Sequence, residues 1–355
     1  MALRWIAALI GFALVAFVGI VVIGDFSAER AADSWALVAA IGLAAAFVAY
    51  AATEYFQTGG FGSIARQFDL RTVVLVPIAI AINIILGAAV ANALKIPIYL
   101  DSIGTILVGA LAGPIAGALT GFTANLVWQY IIPPPFQGTV AAPFAIVAAV
   151  IGLMAGLFAR AGWLRPRPNS SGGALLIGGL VALGIVVLLA VYAYVRFYTD
   201  AFEFFNPDNA DPLFVILGWL IAGLFGAFIV GFVALLVVRR DLTVAYVTVA
   251  GVLTGMVAAL ISAPISANLF SGITGSGTDF LVAAFRQAGS DIQVATFQQG
   301  LLSDPVDKLV TFFVVYLVLT AIARRTIARF PQGERLVEAG DASAGEGGEW
   351  RGASG

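Results

Sequence analysis

Residues 101–131 read DSIGTILVGALAGPIAGALTGFTANLVWQYI, and this stretch decides how the rest of the chain is arranged. As one continuous helix it would place the arginines that follow it on the opposite side of a membrane from those that precede it. Gly113 and Pro114 offer a tight turn instead, because proline does not continue a helix and glycine tolerates turn geometry. The pair therefore predicts two short helices, at about 101–112 and 115–131.

The composition of the whole chain predicts a membrane protein. Of the 355 residues, 61% are hydrophobic and only 11% are charged, and the mean hydropathy is +1.01. A soluble fold could not bury so much apolar surface. Runs near the length that crosses a bilayer recur at 5–24, 35–52, 72–93, 140–159, 174–195, 213–238, 242–263 and 305–323. Because they are continuously apolar, they predict helices and not barrel strands. The expected fold is an all-α polytopic transmembrane helical bundle of about ten helices.

The arginines predict the orientation of this bundle. With a turn at Gly113, the basic clusters share one side: Arg4, Arg66, Arg71, Arg160, Arg165, Arg167, Arg239, Arg240 and the arginines of the tail. The positive-inside rule makes that side cytoplasmic, so we expect a multi-pass protein of the cell (plasma) membrane with both termini in the cytoplasm.

The two ends of the chain carry predictions of their own. The apolar run 5–24 is longer than a signal-peptide core, so it predicts an uncleaved first helix; a signal peptide ending near Ser27 is the alternative. Residues 326–355 are rich in Gly, Glu, Ala and Ser and predict a disordered cytoplasmic tail.

The residue types that are missing exclude several kinds of chemistry. The chain has no cysteine and no histidine, which removes disulfides, thiol nucleophiles, imidazole bases and the common zinc ligands. No nucleophile and base pair is apparent, so we expect no enzymatic activity, no cofactor and no metal. The chain also lacks an ATP-binding phosphate loop, so an ATPase that drove transport would be another polypeptide. No nucleic-acid partner is expected.

Polar groups near the ends of the apolar runs predict the binding site, because such groups are costly in a membrane. The topology places Asp101, Gln129, Asn268 and Lys308 at the outer ends of their helices and at similar depth. An amide pair beside Trp128 suits a flat, polar small molecule. The predicted substrate-binding residues are Asp101, Ser102, Asn125, Trp128, Gln129, Asn268, Asp307 and Lys308.

The region before the last apolar run leaves alternatives open. Lys308 can pair with Asp307, Asp304 or Asp101, or it can neutralise an anionic ligand. Asp304 followed by proline is also the pattern of an ordinary helix start. The segment 265–304 contains short amphipathic pieces that we expect on the outer surface, either as a mobile lid or as an inert loop.

Several of these motifs together resemble a known family. They are KIPIYLDSIGTIL at 95–107, GPIAG at 113–117, Asn125, APISA at 263–267, the Gly- and Ser-rich stretch 271–278, and DPVDK at 304–308. Over roughly residues 72–325 the chain resembles the bacterial substrate-binding S components of energy-coupling factor (ECF) transporters.

The resemblance implies a function and partners. Proteins of this family are small bundles, usually of six helices, that bind a vitamin or similar micronutrient at their outer face. They release it by toppling in the membrane on a transmembrane subunit driven by two ATPase subunits. By this resemblance, residues 70–325 form the transport core. Its helix 72–93, with Gly87 and Ala91, contacts the transmembrane partner.

Two segments depart from the family pattern and add four helices to the expected six-helix core. The N-terminal hairpin, residues 1–60, precedes the core, and the pair 174–238 is inserted into it.

Two other functions remain as alternatives. A membrane sensor for a small ligand would need a cytoplasmic output domain, for which the tail is short. An ion-coupled secondary transporter usually needs carboxylates near the middle of the membrane, and none of the acidic residues is expected in the middle of a span.

Overall fold

The computed structural model describes residues 2–22, 31–94, 98–168, 170–195 and 240–337, together with single positions and short runs between 223 and 238. Within these ranges all regular structure is helical, and no strand occurs. The predicted all-α fold is therefore confirmed. Of the predicted span 213–238, residues 213–222 lie outside the described part, and the described positions from 223 onwards are helical.

The helices, in chain order, are α1 (Ala2–Val22), α2 (Ala31–Thr58), α3 (Gly62–Ala65), α4 (Leu70–Gly87), α5 (Ile103–Ala112), α6 (Pro114–Tyr130), α7 (Ala145–Arg160), α8 (Gly172–Val195), α9 (Thr243–Phe270), α10 (Asp279–Gln287), α11 (Ile292–Ala321) and α12 (Arg324–Ile327). A π-helical segment, Ala88–Ala93, continues α4. In the described part of the chain, six helices are long and apolar enough to cross a membrane: α1, α2, α4, α7, α8 and α9. The protein is a membrane protein on this evidence.

The predicted break at Gly113 is confirmed. Gly113 has a φ of 135°, which favours glycine, and Pro114 opens α6 at a position where its missing N–H costs nothing. The side-chain oxygen of Gln67 accepts hydrogen bonds from the amides of Ile115 at 2.9 Å and Ala116 at 3.4 Å. These contacts satisfy the free N–H groups of the first turn of α6, so α5 and α6 form a tight antiparallel hairpin.

Glycines bring the helices of the bundle into backbone contact. A Cβ added to Gly109 on α5 would lie 2.6 Å from the carbonyl oxygen of Gly152 on α7, and one on Gly117 of α6 would lie 2.6 Å from the Cα of Gly109. On α9, a Cβ on Gly251 would lie 2.7 Å from the Cα of Leu309 on α11. Helices in lipid pack in this way because small residues let their backbones approach closely.

Six helices, α4, α5, α6, α7, α9 and α11, form one packed group. The hairpin of α1 and α2 packs on the 3₁₀ turn Ala142–Phe144 and on α7, while α8 packs against α9 and α11. A buried ion pair between Arg4 and Glu54, at 3.2 Å, joins the ends of the hairpin. These contacts put α1, α2 and α8 outside the central group.

The helix that contains the last predicted span, α11, begins earlier than predicted. It starts at Ile292, where the Asp291 side chain accepts a hydrogen bond from Val294 N at 2.9 Å, and Pro305 lies inside it. The alternative in which Asp304 and Pro305 start the helix is wrong. A proline inside a membrane helix is tolerated where neighbouring elements cover the altered backbone, and here Gly255 of α9 packs against Pro305.

This longer helix changes the position of two acidic residues. Asp304 and Asp307 lie in the interior of the 30-residue helix α11 and not at its end. Because α11 is not among the six helices that are long and apolar enough to cross a membrane, the expectation that no acidic residue occurs in the middle of a span stays a prediction. The early start of α11 was missed because the polar residues from Gln298 to Asp304 resemble a loop.

The start of the expected disordered tail is also different. Residues 326–337 are ordered, and Gln332 is buried at the Gly113 end of the bundle. Its backbone N–H donates to the carbonyl of Leu111 at 2.8 Å, and its side chain donates to the carbonyl of Gly109 at 3.1 Å. Residues 338–355 lie outside the described part.

We expect Gly109→Ala to lower the thermal unfolding temperature of the detergent-solubilised protein, because the added methyl must push α5 and α7 apart. Overpacking of this kind costs about 1–3 kcal/mol. The matched control is Gly184→Ala on α8, where an added Cβ meets nothing within 4 Å. Equal melting temperatures for the two variants would contradict the close packing.

Candidate functional site

A cavity of about 190 Å³ lies at the end of the bundle opposite to Gly113. It is lined by the segment before α5, by α6, α7, α9 and α11, and by two connecting segments, 138–144 and 274–276. The walls combine apolar side chains with a small number of polar and charged groups, as small-molecule sites do. The cavity is therefore the candidate functional site.

Lys308 on α11 reaches into this site from one side and is buried. Its ammonium forms an ion pair with the carboxylate of Asp307 and donates a hydrogen bond to the hydroxyl of Ser102 at 2.9 Å. One carboxylate oxygen of Asp101 lies 3.7 Å from the same nitrogen. The pairing of Lys308 with Asp307 and Asp101, left open by the sequence, is thus present in the structure.

Asp307 connects this ion pair to the segment before α5. Its Oδ1 accepts hydrogen bonds from the amides of Tyr99 at 3.1 Å and Leu100 at 2.8 Å, while its Oδ2 faces Lys308. Leu100 has a φ of 52°, a conformation that costs energy for a residue with a side chain. The two hydrogen bonds hold that conformation and so fix Asp101 and Ser102 at the rim of the cavity.

Asp304 lies one helical turn before Lys308 and also lines the cavity, with only 6% of its surface exposed. Its two oxygens accept hydrogen bonds from the hydroxyls of Ser262 at 3.0 Å and Ser303 at 3.1 Å. Gln299 supports this arrangement by donating to Ser303 at 2.6 Å. Among the described residues, no cationic group lies within 4.0 Å of the Asp304 carboxylate.

Trp128 on α6 forms an aromatic wall of the cavity. Its indole N–H donates to the carbonyl of Phe136 at 2.8 Å, and its ring is held between Gly87 and Gly138, where added Cβ atoms would lie 2.5 and 2.8 Å from it. One turn earlier, the amide of Asn125 donates to the carbonyl of Ala141 at 3.2 Å. The sandwich fixes the plane of the indole before any ligand arrives.

The loop 271–278 covers part of the cavity. The Tyr99 hydroxyl lies 2.7 Å from the hydroxyl of Thr278, and burial raises the pKa of the Tyr99 phenol, so that it stays protonated. Asp279 accepts hydrogen bonds from the amides of Thr274 at 3.0 Å and Gly275 at 2.7 Å, which closes the loop on itself. Whether the loop moves as a lid stays a prediction.

Helix α10, which follows this loop, differs from the expected surface piece. Its residues Leu281 and Phe285 are buried, and the helix packs against α11. The amphipathic pattern was correct, but its apolar face covers protein and not a lipid surface.

The structure brings five of the predicted site residues together around the cavity: Asp101, Ser102, Asn125, Trp128 and Lys308. Two others lie directly behind its wall. Asp307 holds the segment before α5, as described above, and Gln129 accepts a hydrogen bond from Ala142 N at 2.6 Å, which positions the segment 138–144. The hydrogen bonds of Asp307 and Gln129 therefore indicate that these two residues position the groups that line the cavity.

Asn268 lies away from the cavity. It is exposed, and its side-chain oxygen accepts a hydrogen bond from Gln293 at 2.7 Å. Gln293 lies roughly 22 Å along α11 from Lys308, at 1.5 Å per residue. The expectation of a common depth therefore fails for Asn268, because α9 and α11 both extend well beyond the site.

Asp304, Gln299 and Ser262 are among the polar residues that line the cavity and that sequence reasoning missed. A usable signal existed in the spacing, since Asp304 and Lys308 are four residues apart and share one face of a helix. It was lost because the helix was expected to begin at Pro305.

The predicted docking role does not fit Gly87. This residue is buried and faces the ring of Trp128, so another subunit could not reach it. The side chain of Ala91, the second predicted docking residue, lies outside the described part of the structure.

We expect Asp307→Asn to lower the thermal unfolding temperature strongly. Removing one partner of a buried ion pair leaves an uncompensated charge and costs about 3–5 kcal/mol, and here it also weakens the hold on Leu100. Asp291→Asn is the control on the same helix, since asparagine caps a helix as well as aspartate does. Similar stabilities for both variants, measured by thermal unfolding in detergent, would show that the Lys308 pair is dispensable.

Comparison with known proteins gives a match to a family model. The family model described as "ECF transporter, substrate-specific component" matches residues 71–238, somewhat less than half of the chain. The match begins at α4, includes α8 and the segment expected to be inserted, and ends before α9. No curated protein and no solved structure matched. The family resemblance expected from the sequence motifs is thus confirmed. Over residues 71–238 the chain is thus similar to the substrate-specific components of ECF transporters.

Proposed function

We propose that this protein captures a vitamin-like micronutrient in the cavity beside Trp128 and delivers it into the cell as the substrate-binding subunit of an ECF-type importer. The observation that carries the proposal is the cavity itself, in which an aromatic wall faces a cluster of charged and hydroxyl groups. Such a combination of apolar surface and a few fixed polar groups is what a site for a small organic molecule requires.

The energy for transport comes, in this proposal, from other polypeptides. The family match implies a transmembrane subunit and ATPase subunits as partners. The chain contains no phosphate loop of its own. Trp128 covers Gly87, so we expect the transmembrane subunit to contact another surface of the protein.

The orientation follows from the arginines. Arg160 and Arg335 lie at the Gly113 end of the bundle, where Arg335 donates to the carbonyl of Arg160 at 2.8 Å. If that end is cytoplasmic, by the positive-inside rule, the cavity lies toward the outer face and both termini lie in the cytoplasm.

The six helices α4, α5, α6, α7, α9 and α11 serve as the transport core, in accordance with their packing as one group. The hairpin of α1 and α2, together with α8, lies outside this group. We therefore assign these helices an accessory role in the membrane.

A second function is favoured by one observation. Asp304 and Asp307 lie in the interior of α11, and a proton- or sodium-coupled transporter needs carboxylates within its membrane helices. The ion-coupled alternative differs from the importer in one measurable respect, since it needs no partner subunit.

We expect the protein, purified in mild detergent, to retain a small organic molecule that mass spectrometry can identify after extraction. Ala258→Phe should lose this molecule, because Ala258 lines the cavity and the added ring fills it. Leu260→Phe on the same helix is the control, since Leu260 is 57% exposed and does not line the cavity. Equal retention by the two variants, both monodisperse on size exclusion, would place the bound molecule elsewhere.

We expect the protein alone in liposomes not to accumulate the identified molecule under a proton or sodium gradient. Accumulation should require co-reconstituted transmembrane and ATPase subunits together with ATP. Gradient-driven uptake by the isolated protein would favour the ion-coupled alternative, and Ala258→Phe then serves as the inactive control.

A further inference from the structure

We propose that the captured molecule is a positively charged single-ring compound whose cationic group binds between Asp101 and Asp304. The inference rests on the proposed function, because it concerns the chemical class of the molecule that occupies the same cavity.

Carboxylates outnumber basic groups around the cavity. Three carboxylates, those of Asp101, Asp304 and Asp307, surround one ammonium group, that of Lys308. Among the described residues that line the cavity, Lys308 is the only basic one. When all four groups are ionised, the cluster carries an excess of two negative charges.

Asp307 is the main partner of the Lys308 ammonium. Asp307 is completely buried, and its two oxygens are occupied by Lys308 and by two backbone amides. Asp101 is more distant from the ammonium, at 3.7 Å, and 24% of its side chain is exposed. Lys308 is therefore neutralised mainly by Asp307 behind the wall, so that Asp101 and Asp304, when ionised, give the cavity its negative charge.

Asp304 is a buried carboxylate. A buried carboxylate is costly unless a cation pairs with it, and hydroxyl hydrogen bonds replace only part of its lost hydration. Asp304 receives two such hydrogen bonds and, among the described residues, no cation within 4.0 Å. A cation that enters the cavity supplies the missing charge, whereas an anion would face two carboxylates. The alternative in which Lys308 neutralises an anionic ligand is therefore disfavoured.

The cavity suits a flat ligand. Trp128 lines it, so the part of the indole that Gly87 and Gly138 leave uncovered contributes aromatic surface that attracts a flat cation. A cavity of roughly 150 Å³ holds benzene, so about 190 Å³ has room for one ring with small substituents. A bare metal ion is a poor match, because the described residues contain no group of three or more His, Cys, Asp or Glu that could hold one.

The test uses three probes of nearly equal size and shape: benzamidine, which is a cation, benzamide, which is neutral, and benzoate, which is an anion. Their affinities are measured by isothermal titration calorimetry on the full-length protein after removal of any retained molecule. We expect benzamidine to bind at least about tenfold more tightly than benzamide, the factor that one modest charge interaction provides, and benzoate not to bind.

Two variants test whether Asp304 causes the preference for the cationic probe. Asp304→Asn should reduce the preference for benzamidine over benzamide to less than about threefold, whereas Asp291→Asn should leave it unchanged. Without ligand, Asp304→Asn should raise the thermal unfolding temperature, because it removes an unpaired buried charge, and Asp307→Asn should lower it. A lower unfolding temperature for Asp304→Asn would assign Asp304 to the framework and overturn the proposal.

The outcomes separate this inference from the proposed function. If benzamide or benzoate binds as tightly as benzamidine, or if the retained molecule is neutral or anionic and Ala258→Phe expels it, the cavity still captures a small molecule but the charge class is wrong. If no molecule is retained and none of the probes binds, the proposed function fails together with the inference.

Discussion

The buried contact between Lys308 and Asp307 is the interaction on which the site depends. It joins α11 to the segment before α5, since Asp307 binds the amides of Tyr99 and Leu100 as well as the ammonium of Lys308. A buried ion pair adds little net stability by itself, but it fixes geometry, because each partner is costly without the other. The segment before α5, which forms part of the cavity wall, is thereby fixed to α11.

The architecture could be predicted from the sequence because lipid leaves few alternatives. Apolar runs of sufficient length must be helices, and the arginines restrict their direction. Gly113 and Pro114 were decisive, because they divide an apolar stretch that length alone would assign to one helix. Asp101, Ser102, Asn125, Trp128 and Lys308 could be selected as site residues because polar groups are rare in such a chain, and the structure brings these five to one cavity. Their role in binding a substrate remains a prediction.

The errors have a common physical origin in helix length. Pro305 was taken as a boundary, but a proline can lie inside a membrane helix when a neighbour packs against it, as Gly255 does here. Asp304 was therefore not recognised as a cavity residue, and Asn268 was placed at the wrong depth. Gly87 was assigned to docking because a glycine on an apolar helix is compatible with contact to either another subunit or the same chain. Only tertiary structure shows that its neighbour is Trp128.

The glycine contacts among α5, α6 and α7 have a mechanical consequence. Where backbones touch at Gly109, Gly117 and Gly152, a helix that slid or rotated would drive side chains into its neighbour's main chain. These three helices must therefore move as a rigid block. A movement that opened the cavity would therefore have to occur outside this block, for example in the loop 271–278, which lines part of the cavity.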